Sequence, residues 1–164
     1  MSVITAAGPF TVMHDMDYAP FMDLLREVIQ KKPDVLILLG PFVDISQPII
    51  SSGDVVLVDT NDDNVEVARH AASYEMVFIE RIITGGLQLL FDSEDHGNLP
   101  TKIILVPSLL DAHHEFVFPQ PPFGDRDEVK TDFFDISLGV LKVPYAEKNE
   151  KKRVYLMPNP CMFR

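Results

Sequence analysis

The chain has 164 residues, of which 46% are hydrophobic and 24% are charged, a composition typical of one globular domain. No apolar run approaches the roughly 18 residues that a membrane span needs, and no basic segment near the start predicts a signal peptide. The single cysteine, Cys161, excludes an internal disulfide. The net charge of -11 argues against a broad surface for nucleic-acid phosphates, because such surfaces are rich in lysine and arginine.

The first forty residues predict a strand, a helix and a second strand. Residues 3–7 form an apolar strand segment that ends in the turn Gly8-Pro9-Phe10. The helix should begin after Asp15 or Asp17, either of which can cap it, and should end before Pro33. Its apolar residues recur at helical spacing on one face. That face consists of Phe21, Leu24, Leu25, Val28 and Ile29.

Residues 35–39 are five apolar residues in a row, which predicts a strand buried on both faces of a parallel sheet. After an irregular loop, residues 55–58 predict an edge strand or an extended segment. A long helix is then expected to start at Asp62 or Asp63. Its predicted apolar stripe consists of Ala68, Ala72, Met76, Ile79, Ile83, Leu87 and Leu90.

Residues 102–106 predict a third buried strand that ends at Pro107. The expected fold class is therefore α/β, with the order β-α-β-α-β. Three prolines within residues 119–123 predict an extended connection. Residues 133–143 predict one further strand, and residues 154–157 predict a short last strand.

Two aspartates, Asp44 and Asp111, follow predicted strands, where ligands bind in α/β sheets. With His113 or His114 they suggest a divalent metal site for phosphate-ester hydrolysis. The simpler interpretation is that Asp44 caps a turn and that Asp111 accepts hydrogen bonds from loop backbone amides. One carboxylate per loop gives too few ligands for a metal, and adjacent histidines point to opposite sides of an extended chain. Cys161 has no neighbouring histidine and is interpreted as a small apolar side chain rather than a nucleophile.

Several segments resemble the B-subunit family of replicative DNA polymerases. The two main ones are residues 33–44 (PDVLILLGPFVD) and residues 106–115 (VPSLLDAHHE). Residues 117–123 (VFPQPPF) are similar to the branch of that family found in DNA polymerase alpha, and residues 7–11 (AGPFT) and 158–161 (PNPC) fit the same branch. These matches keep their order over nearly the whole chain, so the resemblance does not depend on one short motif.

The resemblance implies a calcineurin-like metallophosphoesterase fold, with layered sheet and helices, whose active site has decayed. Active relatives carry Asp-x-His after the first strand, where this chain has Gly8 and Phe10. They carry Gly-Asp-x-x-Asp after the second strand, where Pro41 replaces the bridging carboxylate and Asp44 remains. Phe and Pro side chains offer no lone pair to a hard cation. Two of the expected metal-binding loops have therefore lost ligands.

The third loop departs from the active pattern in the same way. Active relatives carry Gly-Asn-His followed by Asp or Glu, whereas this chain has Leu109 and Leu110 before Asp111. The ligand Asn and the catalytic His are thus replaced by leucines. The resemblance accordingly implies a protein without a bound metal, without another cofactor and without catalytic activity.

The resemblance also implies that residues 1–164 are the N-terminal half of a degenerate phosphoesterase-like domain. The oligonucleotide-binding-fold domain and the C-terminal half that family members carry are expected to be missing. A half-domain should leave apolar surface uncovered that normally meets the second sheet, so self-association or marginal stability of this chain is expected. Residues 125–153 match the family poorly and are interpreted as variable.

The function that the resemblance implies is that of a non-catalytic scaffold subunit of the DNA polymerase alpha–primase complex in the nucleus, supporting the initiation of DNA replication. Its implied partner is the C-terminal region of the catalytic subunit, with primase and DNA reached through the complex. Two alternatives stand beside this hypothesis. One is a metal-dependent phosphoesterase with a rearranged site built from Asp44, Asp111, His113 or His114, and the other is an α/β domain of unrelated function.

Overall fold

The computed structural model describes residues 1–60, 66–91, 99–112, 114, 116–125, 135–136 and 153–162. Across these ranges no helix combines the length and the apolar character that a membrane span requires. The elements, in chain order, are β1 (Val3–Ala7), α1 (Ala19–Lys31), β2 (Val35–Leu39), α2 (Pro48–Ser51), β3 (Val56–Thr60), β4 (Glu66–Ala71), α3 (Tyr74–Val77), a π-helical segment (Phe78–Thr84), a 3-10 segment (Leu87–Leu90), β5 (Lys102–Val106), β6 (Gly124–Asp125), β7 (Asp135–Ile136) and β8 (Val154–Leu156).

Within the described ranges, the central sheet contains four strands in the order β1-β2-β5-β8, and all neighbouring pairs are parallel. The predicted strands at residues 3–7, 35–39, 102–106 and 154–157 are all confirmed as members of it. Because α1 connects β1 to β2 and helical segments lie between β2 and β5, the α/β fold class is confirmed as well. Of the strand predicted over residues 133–143, only Asp135 and Ile136 lie within the described residues, and they pair with β6.

Helix α1 confirms the predicted apolar face but not the predicted cap. Phe21, Leu25 and Val28 are fully buried, with Leu24 and Ile29 half-buried beside them. The prediction of Asp15 or Asp17 as the N-cap is wrong, because Tyr18 occupies that position with φ of 55° and makes no side-chain cap. Instead, the carboxylate of Asp15 accepts the backbone N–H of Asp17 (2.6 Å), so it stabilises the turn before the helix.

The prediction of a helix that begins at Asp62 or Asp63 is wrong from residue 66 onward, and the two aspartates themselves lie outside the described residues. Residues 66–71 form β4, which pairs antiparallel with β3 from Val56 opposite Ala71 to Thr60 opposite Glu66. The alanine content of this stretch favours a helix locally, but pairing with β3 satisfies its backbone groups as a strand. The helix begins later, at Tyr74, where Ser73 caps it by accepting the N–H of Met76 (3.2 Å).

The apolar stripe of this second helical region also differs from the predicted one. Val77 and Phe78 are buried together with Ile82 and Ile83, five residues further along. A π-helix has a longer turn than an α-helix, so a stripe counted at α-helical spacing drifts off the buried face. Ile83, Leu87 and Leu90 are buried as predicted, Ala72 and Ile79 are half-buried, Met76 is exposed, and Ala68 lies in β4.

The two faces of the central sheet differ in burial. Leu36 and Leu38 of β2 are fully buried in the core that contains α1, as are Ile103 and Leu105 of β5. On the opposite face the β2 residues Val35, Ile37 and Leu39 are only half-buried, so the prediction of a strand buried on both faces is wrong. This face extends over the exposed residues of β1, and we call it the open sheet face. It includes Val3, Thr5, Val35, Ile37, Leu39 and Ile104.

We expect the 164-residue chain to self-associate through the open sheet face, because it leaves half-buried aliphatic side chains in contact with water. In a symmetric dimer Thr5→Lys would bring like charges together and should weaken association about tenfold or more. Sedimentation velocity over a concentration series measures this effect. Met76→Lys, on α3, is the matched control and should associate like the parent. A parent chain that stays monomeric throughout the series would contradict the expectation.

Candidate functional site

The loops after β1, β2 and β5 lie side by side at the carboxyl edge of the central sheet. The N–H groups of Gly8 and Gly40 extend the ladder past the strands, each donating to the last residue of the neighbouring strand (2.8 and 2.9 Å). A Cβ atom at Gly8 would overlap the carbonyl oxygen of Pro41, and one at Gly40 would overlap the carboxylate of Asp111. Glycine at both positions therefore allows the loops to approach closely.

The carboxylate of Asp111 joins the loop after β5 to the loop after β2, and its residue is completely buried. Oδ1 accepts the backbone N–H groups of Phe42 (2.5 Å) and Val43 (3.1 Å), and Oδ2 accepts the N–H of Ser108 (2.8 Å). Burial raises the pKa of Asp111 to about 6, while these three hydrogen bonds lower it and the nearby Asp44 adds to the rise. Asp111 thus cross-links two loops through backbone amides.

Asp44 has a different set of partners. Its backbone pairs with that of Asp111 in an isolated antiparallel bridge. Its carboxylate, however, accepts the N–H (2.9 Å) and the hydroxyl (2.7 Å) of Ser46, within its own turn. The structure therefore brings Asp44 and Asp111 together through their main chains, while their carboxylates bind separate groups. This is the role in loop structure that the simpler interpretation predicted for both residues.

Aromatic rings fill the space beneath these loops. Phe42 is buried and stacks on Phe10, with 5.3 Å between ring centroids. It also meets Phe78 edge-on at 5.4 Å and Phe123 at 5.7 Å, and Phe10 contacts Phe21 at 5.2 Å. Phe10 stands where the family resemblance places a histidine ligand. The interior of this edge is therefore built from rings that bind no cation through a lone pair.

Two residues that support this site were not singled out from the sequence. Tyr18 is buried and donates its hydroxyl to the carbonyl oxygen of Phe42 (2.8 Å), and burial raises the pKa of that hydroxyl. Gln120 is also buried, and its side-chain amide donates to the carbonyl oxygen of Ser108 (3.0 Å). A tyrosine directly before a helix and a glutamine enclosed by prolines were the available signals, and neither identifies a partner distant in sequence.

The remaining predicted positions reach solvent, bind other groups or lie outside the described residues. Leu109 and Leu110 are exposed to solvent. His114 is buried, with Nε2 at 2.9 Å from the carbonyl oxygen of Pro121, whereas the structure does not describe His113. Cys161 is a half-buried free thiol. Among the residues that the structure describes, no three His, Cys, Asp or Glu side chains lie close enough to hold one metal ion.

Comparison with known proteins defines the class of protein. Residues 3–164 match the family of B subunits of DNA polymerases alpha and epsilon, and the chain belongs to this family. The resemblance found in the loop motifs is thereby confirmed. The hypothesis of an unrelated α/β domain is wrong for the same reason.

Relatives similar to this chain include several B subunits of DNA polymerase alpha. The Bos taurus protein is 31% identical over 159 residues, which cover 97% of this chain and 20% of the relative. The Dictyostelium discoideum protein is 32% identical over 124 residues, covering 75% of this chain and 16% of the relative. The Schizosaccharomyces pombe protein is 26% identical over 164 residues, covering 99% and 21%. The chain thus spans about a fifth of the length of these relatives.

The buried Asp111 carboxyl should make stability fall as pH rises from about 4 to about 7. Its pKa is about 6 in the folded chain and 3.8 ordinarily, so the folded state holds the proton more tightly. The resulting stabilisation is present below pH ~4 and is lost as pH rises through ~6, by roughly 3 kcal/mol at most. Urea unfolding of the parent chain and of Asp111→Asn across this pH range gives the difference between their free energies of unfolding. The change of that difference with pH measures the effect.

The matched control for this experiment is Asp54→Asn, which alters an exposed carboxyl group. Its stability should follow that of the parent chain at every pH. If the parent and Asp111→Asn curves run parallel over the whole range, the Asp111 carboxyl does not titrate as described.

Tyr18→Phe should destabilise the chain by about 1–3 kcal/mol, because it leaves the buried carbonyl oxygen of Phe42 without this donor. Tyr74 provides a control of the same chemistry, since its hydroxyl donates to the carbonyl oxygen of Ile50 (2.9 Å) from a half-buried position. Tyr74→Phe should cost about 1 kcal/mol or less, as water can replace the lost donor. Urea unfolding compares the two variants, and equal losses would contradict the role given to Tyr18.

Proposed function

We propose that the chain is part of a non-catalytic accessory subunit of the DNA polymerase alpha–primase complex. The observation that carries the proposal is the interior of the carboxyl edge. There Phe10 and Phe42 stack on each other, and the buried carboxylate of Asp111 is already bound by three backbone amides. Among the described residues this arrangement stabilises loops and offers no set of ligands for a hydrolytic metal centre. Family membership supports the same conclusion.

We also propose that the fold is the N-terminal half of a degenerate calcineurin-like phosphoesterase domain. Two observations support this proposal. The central sheet packs its helices on one face and leaves the open sheet face half-buried, as expected of a layer that another layer covers. The positions Gly8, Phe10, Pro41, Asp44, Leu109, Leu110 and Asp111 fall in the three loops at the carboxyl edge. Their assignment as remnants of a phosphoesterase site stays a prediction.

The proposed partner is the C-terminal region of the polymerase alpha catalytic subunit, with primase and DNA reached through the complex. The names of the relatives support membership of such a complex. The net charge of -11 favours contact with a protein over direct contact with DNA. A nuclear location follows from the same proposal, since it places the chain in DNA replication.

The alternative of a metal-dependent phosphoesterase gains no support from the described residues. Asp44 binds Ser46, Asp111 binds three backbone amides, and His114 contacts the carbonyl oxygen of Pro121. A rearranged site would require these side chains to leave their present partners and converge on one ion. No contact among the described residues favours that rearrangement.

Co-purification of this chain with the C-terminal region of a polymerase alpha catalytic subunit tests the proposal, with metal content assayed on the same sample. We expect a complex without stoichiometric metal and without manganese-dependent hydrolysis of a generic phosphodiester. The control is a catalytic subunit that lacks its C-terminal region, which should not bind. Failure to bind, together with roughly two metal ions per chain and turnover abolished by Asp111→Ala, would favour the phosphoesterase instead.

A further inference from the structure

The carboxyl edge exposes an unusual number of large apolar side chains. Phe116 and Phe118 are 59% and 68% exposed, whereas the other six phenylalanines that the structure describes are buried. Exposed aliphatic residues lie in the loops after β2 and β5 at the same edge. We define the edge patch as Ile45, Leu109, Leu110, Phe116, Val117 and Phe118. Exposed apolar side chains concentrated at one edge are typical of interaction sites in soluble proteins.

The edge patch rests on well-anchored backbone. The N–H of Ile45 donates to the carbonyl oxygen of Leu110 (2.9 Å), which ties its two loops together. The segment 116–118 lies between two buried polar residues, His114 and Gln120, each bound to a backbone carbonyl oxygen. The main chain of Gln120 also pairs with that of Asn159 (2.7 and 2.9 Å). The exposed rings therefore project from a fixed base, which lowers the entropy that binding would cost.

The carboxyl edge carries acidic side chains and, among its described residues, no lysine or arginine. The described residues of the loops 8–17, 40–47, 107–123 and 157–162 include Asp15, Asp17 and Asp44, which reach solvent, and the buried Asp111. Such an edge repels nucleic-acid phosphates and attracts basic side chains.

We propose that the edge patch docks an apolar protein segment whose flanks carry lysine or arginine. This inference rests on the proposed function, in which the partner is another subunit of the polymerase complex. The exposed phenylalanines supply aromatic contacts of the kind that dominate binding energy at interfaces. The surrounding carboxylates, such as the half-buried Asp44, supply the complementary rim. The degenerate phosphoesterase edge would thereby serve as a binding surface.

The first test measures binding of the C-terminal region of the catalytic subunit to a double variant, Phe116→Ser with Phe118→Ser. We expect the Kd to rise about tenfold or more, because two exposed aromatic anchors are removed. Met76→Ser is the matched control, since Met76 is an exposed apolar residue on α3, and its Kd should equal that of the parent. Thermal unfolding verifies that each variant is folded, and Leu110→Ser is an independent test of the same patch.

The second test addresses charge complementarity. Asp44→Asn keeps a side-chain oxygen that can accept from Ser46 while removing the charge. It should raise the Kd roughly twofold to fivefold and reduce the weakening of binding by added salt. Asp54→Asn, an exposed carboxyl on the loop before β3, is the control and should leave both quantities unchanged.

The outcomes separate the inference from the proposed function. Binding by the parent chain that survives both the double variant and Leu110→Ser overturns the edge patch and leaves the proposed function intact. A parent chain that fails to bind the catalytic subunit overturns both. Tight binding of a labelled DNA duplex that the double variant abolishes would make the edge patch a nucleic-acid surface and overturn the choice of a protein partner.

Discussion

The carboxyl edge of the sheet depends on one buried carboxylate, that of Asp111, and on the three backbone amides that it accepts. A carboxylate removed from water loses its hydration, and it is tolerated only where other groups replace that hydration. Here the loops after β2 and β5 provide the donors, so their folding and the burial of Asp111 require each other. The same bonds set the position of Phe42, whose N–H is one of the donors.

Close approach of the loops is the second constraint, and it follows from the first. Gly40 leaves room for the Asp111 carboxylate, and Gly8 leaves room for the carbonyl oxygen of Pro41. With the loops at this distance, Phe10 and Phe42 stack in the interior, and Tyr18 reaches the carbonyl oxygen of Phe42. An ionic centre holds loops together with a few strong directional bonds. At this edge, aromatic packing and hydrogen bonds hold the loops together instead.

The sequence predicts the central strands well, because short uninterrupted apolar runs such as residues 35–39 and 102–106, bounded by proline or glycine, are typical of buried strands. Prediction from the sequence fails where pairing with residues distant in the chain determines the local structure. Residues 66–71 are helix-prone locally and become a strand only through pairing with β3. Asp15 is a separate, local failure, because its carboxylate accepts the N–H of Asp17 in the turn before α1 instead of capping the helix. The loops of the candidate site could be located from the strand ends. The partners of Tyr18 and Gln120 could not, because nothing local in the sequence specifies them.

The distribution of charge between the two sheet edges also affects how the chain meets another molecule. Lys32, Lys102 and Arg153 lie near the amino ends of β2, β5 and β8, beside the exposed Asp34, so that edge carries both signs of charge. The described residues of the carboxyl edge include acidic side chains and no lysine or arginine. In the field of a basic surface this difference favours approach by the carboxyl edge, so that collisions occur edge-first more often than at random orientation. The rate of productive encounter would therefore decline with ionic strength even where the final complex is held mainly by apolar contacts.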